Sequence, residues 1–225
     1  MKLINSIDAP LLLILISLLL SCNNQSDVTI SSIANTVDQN IDTETQMLVK
    51  LPDKKDSIYH EGKINVLVEI PAGTNQKWEL DKTDKILKWE KVEEELRIVK
   101  YLGYPGNYGM IPGTLLPKEL GGDGDPLDVL VLGAPAKRGS LIKCKIIGVL
   151  YLSDRGEQDD KLIAVLDDSP FESVNDIVEL NKKFKGVSQI IETWFLNYKG
   201  PDKMTSNGFG TKIQAEKILH NSILK

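Results

Sequence analysis

Histidine is almost missing from this chain of 225 residues, with only His60 and His220 present. That scarcity argues against a multi-histidine zinc site and against a Ser-His-Asp or Cys-His catalytic arrangement. Cysteine is equally scarce, at Cys22 and Cys144. If Cys22 is consumed as argued below, no disulfide can form. A basic excess is lacking too: 27 Lys and Arg stand against 32 Asp and Glu, for a formal charge of -5. Such a chain makes a poor partner for nucleic acid, whose binding needs a phosphate-neutralising surface. Small anionic substrates stay open, because bound cations reverse a local field. What is present is ordinary globular chemistry, 41% hydrophobic and 26% charged, enough for one core. No internal repeat occurs.

The N-terminus reads as an address. Lys2 precedes an apolar run from Leu11 to Leu20, broken only by Ser17. The run is too short for a stable bilayer anchor and suits a signal peptide. It ends Leu19-Leu20-Ser21-Cys22, which resembles a bacterial lipoprotein lipobox. The resemblance implies a signal peptide over 1–21, a lipid on Cys22, and an exported protein anchored to a membrane at the periplasmic side or cell envelope. Each buried CH₂ of an acyl chain stabilises attachment by about 0.8 kcal/mol. A plain secretory peptide with an incidental Cys22 is the competing reading. Residues 22–57 are polar and aperiodic and predict a flexible tether. The domain then takes 58–225.

Ile64, Val66, Val68 and Ile70 alternate with Asn65, Leu67 and Glu69, which predicts a strand. Further strands are expected at 77–80, 86–91, 95–100, 127–132, 141–152 and 161–166, punctuated by Gly, Pro and Asp. The period then changes to helical: Val187, Ile190, Ile191, Trp194, Phe195 and Tyr198 predict one helix over 178–198. A last helix is expected over 210–224. Many short strands followed by two helices predict an α+β fold, a closed or nearly closed barrel with C-terminal helices packed on it.

The chemistry concentrates in Asp123-Gly124-Asp125-Pro126-Leu127-Asp128-Val129. Pro126 holds Asp125 extended, and Gly124 permits close backbone approach. Crowded carboxylates repel and call for cations; hard oxygen donors suit Mg²⁺, Mn²⁺ or Ca²⁺. An EF-hand loop fails on spacing, with Leu127 and Asp128 where a ligand and a glycine are needed. A solvated Asp-Gly turn is the bland alternative. A second acidic run, Asp154 to Lys161, reads alone as a hairpin loop; with the first it supplies carboxylates from the facing side of one bowl.

Taken in order, Val68-Glu69-Ile70-Pro71, Lys77, Tyr104-Pro105-Gly106-Asn107-Tyr108-Gly109, the D-G-D-P-L-D-V segment, the Asp154/Asp159/Lys161 spacing and Tyr198-Lys199 resemble the family I soluble inorganic pyrophosphatases. The resemblance implies a five-stranded OB-like β-barrel with additional strands, three to four Mg²⁺ ions, and attack of metal-activated water on pyrophosphate. By position it assigns Asp123, Asp128 and Asp159 to a first metal, Asp128 also to a second, Asp154 and Asp159 to a third, and Glu69 to a fourth. It makes Asp125 the carboxylate that orients and deprotonates the water. Lys77, Arg97, Tyr108, Lys161, Tyr198 and Lys199 become the grip on the phosphates. The residues agree with this division: phosphoryl transfer needs positioning and charge stabilisation, and no histidine or cysteine.

Each member also has a plainer reading. Lys77 and Lys161 alone read as surface lysines, Glu69 as an exposed strand acid and Arg97 as one half of an edge ion pair. Tyr108 and Tyr198 read as packing groups, Lys199 as a charge on a helix C-terminus, and Cys144 as core. Two other functions compete: an exported metal- or phosphate-binding lipoprotein without turnover, and a Ca²⁺-stabilised adhesive β-domain. Monomer and homo-oligomer both stay open.

Overall fold

Alternation along Lys63–Ile70 builds the strand from which the rest of the barrel is laid out. The computed structural model describes residues 44–51, 58–60, 63–81, 83–116 and 124–224. In chain order these carry β1 (Gln46–Leu48), β2 (Tyr59–His60), β3 (Lys63–Ile70), β4 (Trp78–Asp81), β5 (Ile86–Trp89), β6 (Lys91–Val92), β7 (Glu95–Leu96), β8 (Asn107–Met110), β9 (Asp128–Leu132), β10 (Leu141–Asp154), β11 (Glu157–Gln158), β12 (Lys161–Leu166) and β13 (Met204–Gly210). The helices are α1 (Ile177–Lys183) and α2 (Val187–Asn197), before β13, and α3 (Lys212–Ser222) after it.

Five strands close on themselves. β3 pairs β8, β8 pairs β9, β9 pairs β12 in parallel, β12 pairs β10, and β10 returns to β3. This is the expected OB-like ring, and closure leaves none of the five strands as a free edge. The long β10 serves two neighbours in turn: Leu141–Cys144 pair β3, while the far end pairs β13. Its register slips between Ile146 and Gly148, where the strand bends. A Cβ on Gly148 would lie 2.4 Å from Ile177 Cγ1 and 2.7 Å from the Gly210 carbonyl oxygen. Glycine there lets α1 and β13 press against the barrel.

Both faces of the central strands are buried. One face, with Leu130, Ile147, Leu150 and Ile163, packs on Ile177 and Leu180 of α1 and on Ile191, Trp194 and Phe195 of α2. The other, with Val66, Val129, Val131 and Cys144, meets Ala215 and Leu219 of α3. Cys144 is core, as expected, and burial pushes its thiol well up. Leu67 and Glu69, on the face of β3 opposite Val66 and Val68, are both buried, so Glu69 is not an exposed strand acid. The reason is a small sheet in the order β1-β5-β4, whose Val49, Trp78 and Leu87 cover Leu67 and Met110.

That sheet corrects the expected tether. Gln46–Leu48 pairs β5 and Val49 is buried, so the folded part begins before residue 58. The signal peptide, Cys22 and residues 23–43 and 52–57 lie outside the described residues. The single helix expected over 178–198 is two helices. Asp176 caps α1 by accepting from the Glu179 amide at 2.8 Å, and Gly186, at φ 89°, starts α2 on a new axis. The strand expected over 95–100 is only Glu95–Leu96 in a short hairpin, with an isolated bridge from Gln76 to Ile98. β8 and β13 were not expected as strands. Thr211 and Gln214 close a reciprocal capping box on α3. Among the described residues no helix is long and apolar enough to cross a membrane.

Candidate active site

Parallel pairing of β9 and β12 founds the site. Val129 faces Leu162 across the ladder, so the residues that begin the two strands, Asp128 and Lys161, stand side by side at one end of the ring. Lys161 donates from Nζ to Asp128 Oδ2 at 2.5 Å and to Asp159 Oδ1 at 2.6 Å. Its side chain is only 3% exposed, so the surface-lysine reading fails. Burial alone lowers the pKa of an ammonium group, but Asp128 and Asp159 outweigh it and hold Lys161 above its ordinary value. Asp128 shows the reverse: burial pushes its carboxyl up, and Lys161, helped by a hydrogen bond from Tyr108 and by Lys77, pulls it below the usual range.

Glu69 sits where the β3–β8 register slips, between Val68 and Ile70. Its Oε1 accepts from the Leu80 amide at 2.9 Å. Burial pushes its carboxyl up to about 7, Lys77 opposing and Asp128 adding. Lys77 approaches from the other wall, with Nζ 2.6 Å from Glu79 Oε1 and 5.7 Å from the centre of the Tyr108 ring. Arg97 does make the expected ion pair, donating to both oxygens of Glu90 at 2.7 and 2.8 Å, and it lines the cavity as well.

α2 delivers Tyr198 and Lys199 from its C-terminal end. Tyr198 stacks on Trp194 at 4.6 Å and 15°, and burial pushes its hydroxyl up to about 12. Tyr198 therefore packs, as its plainer reading has it, and it also lines the cavity. Lys199 does more than meet a helix dipole. Its Nζ reaches Asp154 Oδ2 at 2.8 Å and Asp159 Oδ2 at 3.7 Å.

The result is a cavity of about 250 Å³. Glu69, Asp125, Asp128 and Asp159 line it together with Lys77, Arg97, Lys161 and Lys199 and with Tyr108 and Tyr198. Asp125 is the exposed member, and its main-chain carbonyl accepts from Leu116 at 2.9 Å. Asp154 lines the adjoining recess and is tied to the cavity through Lys199. Asp123 lies outside the described residues.

Sequence reasoning missed two contributors. Glu79 lines the cavity and orients Lys77; its separation of two residues from Lys77 on a strand was the available signal. Asn107 is fully buried beside Tyr108. Its Oδ1 accepts from Ala72 at 3.1 Å and Ala136 at 2.8 Å, and its Nδ2 donates to the Ala134 carbonyl at 2.8 Å. It thereby staples the segments flanking β8. An Asn beside glycines reads as a turn until its partners are known.

The donor set suits a hard divalent cation. Asp154 Oδ1 and Asp159 Oδ2 are buried and accept no hydrogen bond from the protein. An unpartnered buried carboxylate oxygen is costly, and all-oxygen donors match Mg²⁺. Among the described residues no three acidic, histidine or cysteine side chains converge into a finished cage. Lys161 and Lys199 stand between the carboxylates instead.

The chain is similar to known proteins. The family model for inorganic pyrophosphatase matches residues 66–225. The inorganic pyrophosphatase of Sulfolobus acidocaldarius is 37% identical over 164 residues, 71% of this chain and 89% of the relative. That of Corynebacterium efficiens is 36% identical over 164 residues, 71% of this chain and 96% of the relative. A chloroplastic soluble inorganic pyrophosphatase of Chlamydomonas reinhardtii is 37% identical over 185 residues, and this chain spans 66% of its length. Among solved structures, the Helicobacter pylori inorganic pyrophosphatase superposes with a TM-score of 0.64 at 34% identity, covering 75% of this chain and 96% of that one. The ring of strands, the carboxylates around Lys161 and these likenesses agree, and the chain belongs to the family I inorganic pyrophosphatases, the inorganic diphosphatases.

Proposed function

We propose that this chain hydrolyses pyrophosphate to two phosphates by direct attack of water, with Mg²⁺, as an exported protein tethered to a membrane through Cys22. The observation that carries the reaction is the cavity itself. Lys161 binds Asp128 and Asp159, and Lys77, Arg97 and Lys199 line the same cavity. Asp128, Asp154, Asp159 and Glu69, with Asp123, would hold three to four Mg²⁺ ions. When bound, these ions supply positive charge for the phosphoryl oxygens and make water acidic enough for a carboxylate base.

The chain's own residues do the rest. Lys77, Arg97 and Lys199 fix the two phosphates, and the Tyr108 and Tyr198 hydroxyls add neutral donors. Lys161 keeps Asp128 ionised and holds Asp159 in place. Asp125, at the open side of the cavity, orients the attacking water and takes its proton. Charge stabilisation by fixed groups carries such a reaction, and Asp128, Lys161, Tyr198 and Lys199 are set by strand ends or a helix end.

The test is phosphate release from pyrophosphate by the full chain. Release should require Mg²⁺, stop with EDTA, and fall about 10²-fold in Asp125→Asn, whose amide cannot accept the proton. A folded, metal-replete protein that releases no phosphate sinks the proposal.

The tether rests on the sequence up to Cys22. An exported enzyme of this kind would feed phosphate scavenging from external pyrophosphate. Cell fractionation should place the native protein with membranes; recovery in the cytoplasm would remove this part alone.

A further inference from the structure

The acidic run from Asp154 to Lys161 supplies Asp154, Asp159 and Lys161 to the proposed reaction and leaves Asp160 without a part. Asp160 lines neither the catalytic cavity nor the recess beside it. It is half-buried, and both of its oxygens are engaged. Oδ1 accepts from the Leu152 amide at 3.0 Å, and Oδ2 accepts from Gln158 Nε2 at 2.6 Å.

The bond to Leu152 stands where a ladder bond belongs. Leu150 pairs Lys161 and Ser153 pairs Gln158, so one register runs from β12 through to β11 and sets Leu152 opposite Asp159. The Asp159 amide donates to the Leu152 carbonyl at 2.9 Å. A regular antiparallel pair of this kind returns the bond, from the Leu152 amide to the Asp159 carbonyl. Here the Asp160 side chain takes the Leu152 amide instead, and residues 159 and 160 belong to neither strand. β10 is steadied on its other side by β13, with Leu152 opposite Ser206 and Asp154 opposite Met204. The two-residue β11 pairs β10 alone among the described residues. The Asp160 clip is therefore what fixes the Asp159 segment against β10.

Two acids hang from this clip. Asp154 lies two residues beyond Leu152, and Asp159 immediately precedes Asp160. They carry the two buried carboxylate oxygens that accept no hydrogen bond, Asp154 Oδ1 and Asp159 Oδ2. We infer that Asp160 is a positioning residue: by tying Leu152 to Gln158 it sets the spacing of Asp154 and Asp159 on which their affinity for a divalent cation depends. The inference rests on the metal-holding role proposed for those two acids. Asp160 acts through them and not as a ligand, since both of its own oxygens are occupied. Hydrogen-bonded supports of this kind orient metal-binding side chains, and affinity falls when they are removed.

The test is calorimetric titration of Mg²⁺ into the full chain, Asp160→Ala and Asp160→Asn, beside phosphate release at rising Mg²⁺ and thermal unfolding in EDTA. Asp160→Ala removes both acceptors and should weaken Mg²⁺ binding about tenfold. The Mg²⁺ concentration for half-maximal release should rise by about the same factor, with kcat at saturating Mg²⁺ within about threefold, because the acids themselves remain. Asp160→Asn keeps an oxygen for Leu152 and an amide for Gln158, and should stay within about twofold of the unaltered chain on both counts. Unchanged Mg²⁺ affinity in Asp160→Ala overturns the inference, even where thermal stability falls, and leaves Asp160 a brace for the hairpin. Equal losses in the two variants overturn it too, in favour of a direct effect of the charge. If Asp160→Ala does not fold, Gln158→Ala carries the test: it removes one neutral donor and should weaken Mg²⁺ binding about threefold, and unchanged affinity there overturns the inference. An unaltered chain that binds Mg²⁺ but releases no phosphate sinks the pyrophosphatase reading alone, and the calorimetry still decides the part of Asp160. An unaltered chain that binds no Mg²⁺ overturns both.

Discussion

Asp128→Asn should lower pyrophosphate turnover about 10³-fold or more while costing only about 1 kcal/mol of stability. The two effects separate for a structural reason. Asp128 accepts hydrogen bonds from Lys161 and Tyr108 and sits beside Asp125 and Asp159 on the cavity wall. An amide oxygen still accepts from Lys161, and Asp159 Oδ1 still accepts from that ammonium at 2.6 Å. The fold therefore keeps most of what it had. The reaction should not, because the carboxylate proposed to hold metal at the centre of the site is gone. The measurements are steady-state phosphate release and thermal unfolding, each with and without Mg²⁺. Turnover within tenfold of the unaltered chain would show that Asp128 is only a partner for Lys161.

Lys161→Met should damage both quantities. The ammonium is buried between two carboxylates that are themselves 32% and 24% exposed. Removing one member of a buried charge cluster costs about 3–5 kcal/mol when the remaining charge has no other relief. Water reaches Asp128 and Asp159, so the lower end applies, about 3 kcal/mol in EDTA. Asp128 and Asp159 would then repel across the gap that Nζ had filled. Divalent cations can take up that role, so Mg²⁺ should restore more stability to the variant than it adds to the unaltered protein. Turnover should fall about 10²-fold, since a fixed cation near the phosphates is lost. The readouts are the unfolding midpoint against Mg²⁺ concentration and phosphate release at saturating Mg²⁺. Equal stability of the two proteins in EDTA would refute the account of Lys161 as the neutralising centre of the acidic cluster.

What was legible in the sequence follows from how local the signal was. β3, β9, β10 and β12 announced themselves by unbroken apolar or alternating runs. The site residues were legible as an ordered set, because each lies at the end of such a run or in a turn with its own punctuation. β1 was not legible. Its apolar residues are sparse and polar ones surround them, and they bury only because Leu67, Trp78, Leu87 and Met110 offer a surface. β13 was hidden for a similar reason: Thr205, Ser206, Asn207 and Gly208 favour turns, and β10 imposes the strand. The break between α1 and α2 was written in Asp176 and Gly186, but the apolar stripe on either side runs through it.

The amino-acid sequence by itself determined the inventory: which acids, which bases, only two histidines and neither in the acidic motifs, and the strand and helix periods that carry them. Those are properties of neighbours along the chain. Only the tertiary structure decided which carboxylate faces which lysine. Asp128 and Lys161 meet because β9 and β12 run parallel in one register, and Lys199 meets Asp154 because α2 ends over the far end of β10. Register is a long-range choice, set by closing the ring and burying both faces of its strands. Spacing along the chain carries no trace of it until the barrel is closed.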